Sequence, residues 1–83
     1  MEEIILALLD TCLIRERDPR QFPISEDTMY QYNMPEQLCD TIVSIGKYVE
    51  PQTEADRYRE AAIGKTYIVD IYQLYNTIIS HGI

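Results

Sequence analysis

Apolar residues recur at helical spacing along most of the chain, interrupted by short polar and proline-bearing stretches. Between Glu2 and Arg17, the residues Ile5, Leu8, Leu9 and Cys12 fall on one face, widened by Ile4, Leu6 and Leu13. This predicts a first helix. Glu2 and Glu3 at its start and Arg15 and Arg17 at its end suit the helix dipole, and Pro19 stops it. The linker from Asp18 to Pro23 is expected to be irregular, because each proline removes a backbone donor and restricts the residue before it. Phe22, the only phenylalanine, is expected to pin that linker to the core.

Ser25 reads as an N-cap followed by Glu26 and Asp27, with Ile24 and Met29 at the spacing of a hydrophobic staple. The short helix it opens meets Asn33-Met34-Pro35, a stop and restart in which Asn33 caps the next helix and Pro35 occupies its first turn. That third helix carries Leu38, Ile42, Ile45 and Val49 as a stripe and ends at Glu50-Pro51. Beside the stripe, Cys39, Val43 and Gly46 form a row of smaller residues that lets another backbone come close.

Thr53, with Asp56 three positions on, forms a capping-box pattern. From there a helical reading runs to Ser80, with Gly82 as its C-terminal punctuation and Gly64 as a point of division or bending. Thr66 to Tyr72 also favours a strand, but a lone strand has nothing to pair with in an otherwise helical chain, so the helix is preferred. On that helix Tyr67, Ile71, Leu74 and Ile78 form one row, and Ile68, Tyr72, Tyr75 and Ile79 an adjacent one. Thr66, Asp70, Gln73, Thr77 and Ser80 share the remaining strip. The expected fold is an all-α bundle of three to four helices in a single domain spanning 1–83, its long last helix kinked near Gly64.

Half or more of that last helix is apolar, more than a surface helix in a monomer requires. Either it is the central helix of a four-helix core, or one row faces the core and the other a partner; tyrosine, enriched at interfaces, favours the second. The candidate protein interface is Tyr67, Ile71, Leu74, Tyr75 and Ile78. Size points the same way. A chain of 83 residues buries only about 60 to 65 % of its unfolded surface, so help from a second copy, as homodimer or higher oligomer, or from another protein is expected.

Charge narrows the partners further. Fourteen acids against seven Lys plus Arg leave a net charge of -7, which disfavours direct nucleic-acid binding and fits a basic partner. The carboxylates are spread along the chain, so mimicry of a nucleic acid is a weaker reading. Arg15, Arg17 and Arg20 are the one concentrated basic group; with tyrosine rings for stacking they are the candidate residues for a small anionic nucleotide at an oligomer interface. The competing reading is that Arg15 and Arg17 complete a helix end and pair with Glu16 and Asp18.

Catalysis has little support. His81 reads as a helix-end residue, and the sequence has no nucleophile motif, phosphate-cradling glycine loop or metal-ligand spacing, so no enzyme, cofactor or metal is expected. Cys12 and Cys39 read as reduced core residues. The acidic start and the polar interruptions after Thr66 argue against export and a membrane span, leaving the cytoplasm as the expected location. In size and acidity the chain is like small inhibitor and adaptor proteins of phages and mobile elements, an analogy of composition alone.

Overall fold

The computed structural model describes residues 2–80. It shows a mixed α/β domain: α1 (Glu2–Ile14), a 3-10 turn (Pro19–Gln21), β1 (Phe22–Ser25), α2 (Glu26–Gln31), α3 (Glu36–Ile45), β2 (Lys47–Tyr48), α4 (Glu54–Ile63), β3 (Thr66–Val69) and α5 (Ile71–Ser80). The all-α expectation is corrected by a three-stranded antiparallel sheet of order β1-β3-β2. The expected long last helix is α4, a strand and α5. Its central piece finds the strand partners that the sequence reading denied it.

Both partners are short and unpromising by composition. β1 contains Pro23, yet the ladder tolerates it. Phe22 pairs with Val69, Ile24 with Tyr67 and Ser25 with Thr66, and the Glu26 N–H donates to the Lys65 carbonyl. Hydrogen-bonded pairs alternate along an antiparallel ladder. The even-numbered residues of β1 therefore face β3 with their backbone groups, and Pro23 turns its donor-less nitrogen to the outer edge. On the other side β2 adds Lys47 opposite Ile68 and Tyr48 opposite Tyr67. The Tyr48 and Tyr67 rings pack at 5.8 Å between centroids, tilted by 50°.

Caps set the helix starts. Ser25 accepts from the Thr28 N–H at 3.2 Å, as its position predicts, and Thr53 and Asp56 complete a capping box. α5 opens on Asp70, whose carboxylate accepts from Tyr72 and Gln73 N–H. Asn33 does not cap α3. It takes a left-handed conformation (φ 51) after α2, with its own N–H on Tyr30 and that of Met34 on Met29, a Schellman ending. α3 begins after Pro35 without a side-chain cap.

Two glycines have steric work. Gly64 ends α4 at φ 82, where a Cβ would lie 2.7 Å from Glu26 Cβ. Gly46 ends α3, and a Cβ there would sit 3.1 Å from both Tyr67 Cβ and Val69 Cγ2. Of the small-residue row, Gly46 alone is approached by β3 in this way, while Val43 is exposed. With α3 ending at Ile45, Val49 leaves the expected stripe and is exposed.

One apolar core joins the elements. Ile5, Leu8 and Cys12 of α1, Phe22 and Ile24 of β1, Met29 of α2, Leu38 and Ile42 of α3, Val69 of β3 and Ile71, Leu74 and Ile78 of α5 are all buried. Phe22 pins the linker, as expected, and Ile24 and Met29 are both buried in the same core. No described helix is long and apolar enough to cross a membrane.

Candidate functional site

α1 and α5 lie side by side and antiparallel. The Tyr75 hydroxyl donates to the Glu2 carboxylate at 3.0 Å near the start of α1, while Tyr72 shares a cleft of about 180 Å³ with Leu9, Cys12 and Leu13 near its end. Each helix turns one row inward: Ile5, Leu8 and Cys12 from α1, and Ile71, Leu74 and Ile78 from α5. Each also carries a second row at i, i+3, i+7. On α1 it is Leu6, Leu9 and Leu13; on α5 it is Tyr72, Tyr75 and Ile79.

These second rows are poorly covered. Leu6 is 51 % exposed, Leu13 78 %, Tyr72 51 % and Ile79 56 %, with Leu9 and Tyr75 half-buried. Leu9, Leu13 and Tyr72 line one cleft at the seam between the helices, with Arg17 and Pro19 at its edge.

Of the five residues expected at an interface, Ile71, Leu74 and Ile78 are enclosed in the chain's own core. Tyr67 is half-buried on β3, against Tyr48. Only Tyr75 lies on the outward row. Sequence spacing separates the two rows of the last helix but puts the inner one, Ile71, Leu74 and Ile78, in the contact, since a buried and an exposed face share one period. The matching row on α1 reads by spacing alone as a widening of the core stripe.

The arginines separate. α1 ends in a left-handed Glu16 (φ 54), with the Glu16 N–H on Leu13 O and the Arg17 N–H on Cys12 O at 2.9 Å. This Schellman reversal at a non-glycine residue brings Arg15 and Arg17 to one cleft of about 200 Å³. Leu8 and Phe22 contribute core atoms to it, and Thr11, Pro23, Thr28, Gln31 and Tyr32 complete the wall. Arg20 lies elsewhere, in an open groove with Asp70, Tyr72 and Gln73. Asp18 does not hold an arginine side chain; it accepts the Arg20 backbone N–H at 2.9 Å and so caps the 3-10 turn.

Burial pushes the thiols of Cys12 and Cys39 up from their ordinary value, which disfavours thiolate chemistry. A hydrogen bond to Glu60 at 2.8 Å pushes the exposed Tyr48 up to about 12. The bond to Glu2 raises Tyr75 likewise. Among the described residues no three His, Cys, Asp or Glu side chains come together to hold a metal. His81 and Gly82 lie outside the described residues. Comparison of the chain with protein-family models, with curated proteins and with solved structures finds no match.

Proposed function

We propose that this chain is a cytoplasmic protein-binding module that works as a homodimer, with a second copy docked on the α1–α5 face. The observation that carries the reading is the pair of i, i+3, i+7 rows, Leu6-Leu9-Leu13 and Tyr72-Tyr75-Ile79, exposed on neighbouring antiparallel helices. Such seams pack knobs into holes against an equivalent pair, so two copies related by a twofold axis complete a four-helix layer.

The face is small. Helices of thirteen and ten residues are about 20 and 15 Å long. At the usual interaxial spacing of about 8 to 10 Å they present a slab of about 400 Å², half the roughly 800 Å² per partner of a standard interface, which fits a weak dimer. The second copy leaves the acidic surplus of each chain, -7, on the outside. That surface suits a basic protein partner, and the dimer acts on it as an adaptor or inhibitor.

Sedimentation from about 1 μM to about 1 mM tests self-association. The molar mass is expected to rise to twice that of the chain, and Leu13→Glu or Ile79→Glu to remain monomeric with unchanged helical circular dichroism. A wild-type protein that stays monomeric throughout the range overturns the reading.

A further inference from the structure

The chain carries fourteen acids, yet the cleft at the end of α1 is lined by two arginines and no carboxylate. Two other hollows differ: the open groove beside α5 contains Asp70, and the hollow between β2 and α4 contains Glu50, Asp56 and Glu60; the seam cleft, which shares Arg17, also lacks a carboxylate but has only that one cation. The donors lining the cleft are Arg15, Arg17 and Tyr32. Gln31 Nε2 already donates at 3.0 Å to the Asp27 carboxylate and is not one of them. Arg15 and Arg17 reach the cleft from opposite sides of the left-handed Glu16, a conformation that disfavours a side chain by about 1 kcal/mol where glycine is the usual occupant.

We propose that this cleft binds the phosphate group of a small phosphate monoester. Guanidinium forks hold phosphate oxygens in parallel pairs, and Leu8 and Phe22 give the site an apolar floor against which such bonds strengthen. Size sets the ligand class. At about 200 Å³ the cleft falls below the roughly 300 to 1,000 Å³ of sites that enclose a drug-sized molecule. It takes in a phosphate and its ester carbon, and a nucleoside attached to them remains outside. The nucleotide expected from the sequence is thereby narrowed to its phosphate end, and Arg20, in another groove, has no part in it.

The probes are inorganic phosphate, glycerol 3-phosphate and AMP, titrated at constant ionic strength while the amide signals of Arg17, Thr28 and Tyr32 are followed by NMR. All three are expected to give saturable shifts with affinities within about threefold of one another. Binding tightens as pH rises through about 6, where the monoester becomes a dianion while the arginines keep their charge. The double variant Arg15→Gln/Arg17→Gln weakens binding about tenfold or more, Arg15→Lys/Arg17→Lys falls between it and wild type, and Arg20→Gln changes nothing. Ile79→Glu, on the dimer face and in neither this cleft nor the seam cleft that Arg17 also lines, binds as wild type does, which separates this site from the dimer face. Absence of saturable shifts, or equal affinity in the double glutamine variant, overturns the proposal. AMP binding more than about tenfold tighter than phosphate overturns the assignment to the phosphate group alone.

Discussion

Glu26 and Lys65 are joined by two hydrogen bonds that run in opposite senses. The Glu26 N–H donates to the Lys65 carbonyl at 3.0 Å, and the Lys65 N–H donates to the Glu26 carboxylate at 2.7 Å. The first extends the β1–β3 ladder, while the second ties the turn between α4 and β3 to the start of α2. Gly64 makes the approach possible. Glu26→Ala is expected to lower stability by about 1 kcal/mol, the usual range for a hydrogen bond to a charged group at an exposed site. Gly64→Ala is expected to lower it further, because a Cβ at φ 82 strains the backbone and strikes Glu26 Cβ. Chemical denaturation of the two variants checks the order; a Gly64→Ala protein as stable as wild type contradicts it.

The two rows of α5 predict opposite outcomes for similar changes. Ile71 and Leu74 are fully enclosed, so Ile71→Asp leaves an unpaired charge in the core and abolishes folding, and Leu74→Ala lowers stability by about 2 to 5 kcal/mol. Ile79→Glu, on the outward row, leaves the unfolding midpoint of the monomer within about 0.5 kcal/mol of wild type. Urea titration at low protein concentration reads both.

How much of this was legible can be argued from single residues. Ser25 and Thr53 announce their helices because a cap is a local bond between neighbours in sequence. Gly64 marks a division for an equally local reason, its positive φ. The strand Thr66–Val69 is four residues long, and over so short a run Tyr67, Ile71 and Leu74 fit a helical period as well as they fit a strand followed by a helix. Its partners gave no warning, one carrying a proline and the other two residues long. Asp70 carries the signal. By spacing it belongs to a polar helical strip, whereas its carboxylate caps α5 and so marks where a new helix begins.

At the end of α1 the chain departs from its own best chemistry. Glu16 occupies a left-handed position that glycine takes without strain, so Glu16→Gly is expected to raise stability by about 0.5 to 1 kcal/mol and Glu16→Val to lower it. Thermal unfolding of the two variants measures the difference. If both melt at the wild-type temperature, the reversal carries no strain.

Tyr48 supplies a pH signature. Its value is raised to about 12 by the hydrogen bond to Glu60, above the ordinary 10 of an unfolded tyrosine. The native state therefore keeps the proton longer, and the associated stability is present below pH 10 and lost as pH rises toward 12. Ultraviolet titration is expected to show one phenol ionising near 12, absent in Tyr48→Phe. A full set of phenols titrating near 10 contradicts the bond.

The order of the sheet carries a consequence for synthesis. β1 and β2 do not pair with each other; in the sheet each pairs only with β3, which the ribosome makes after both. Their edges stay unpaired until the chain has passed Val69, and closing the β1–β3 ladder means joining segments more than forty residues apart. Folding is expected to be slower than for a helical bundle of this length, with the unpaired edges exposed to other chains during the wait.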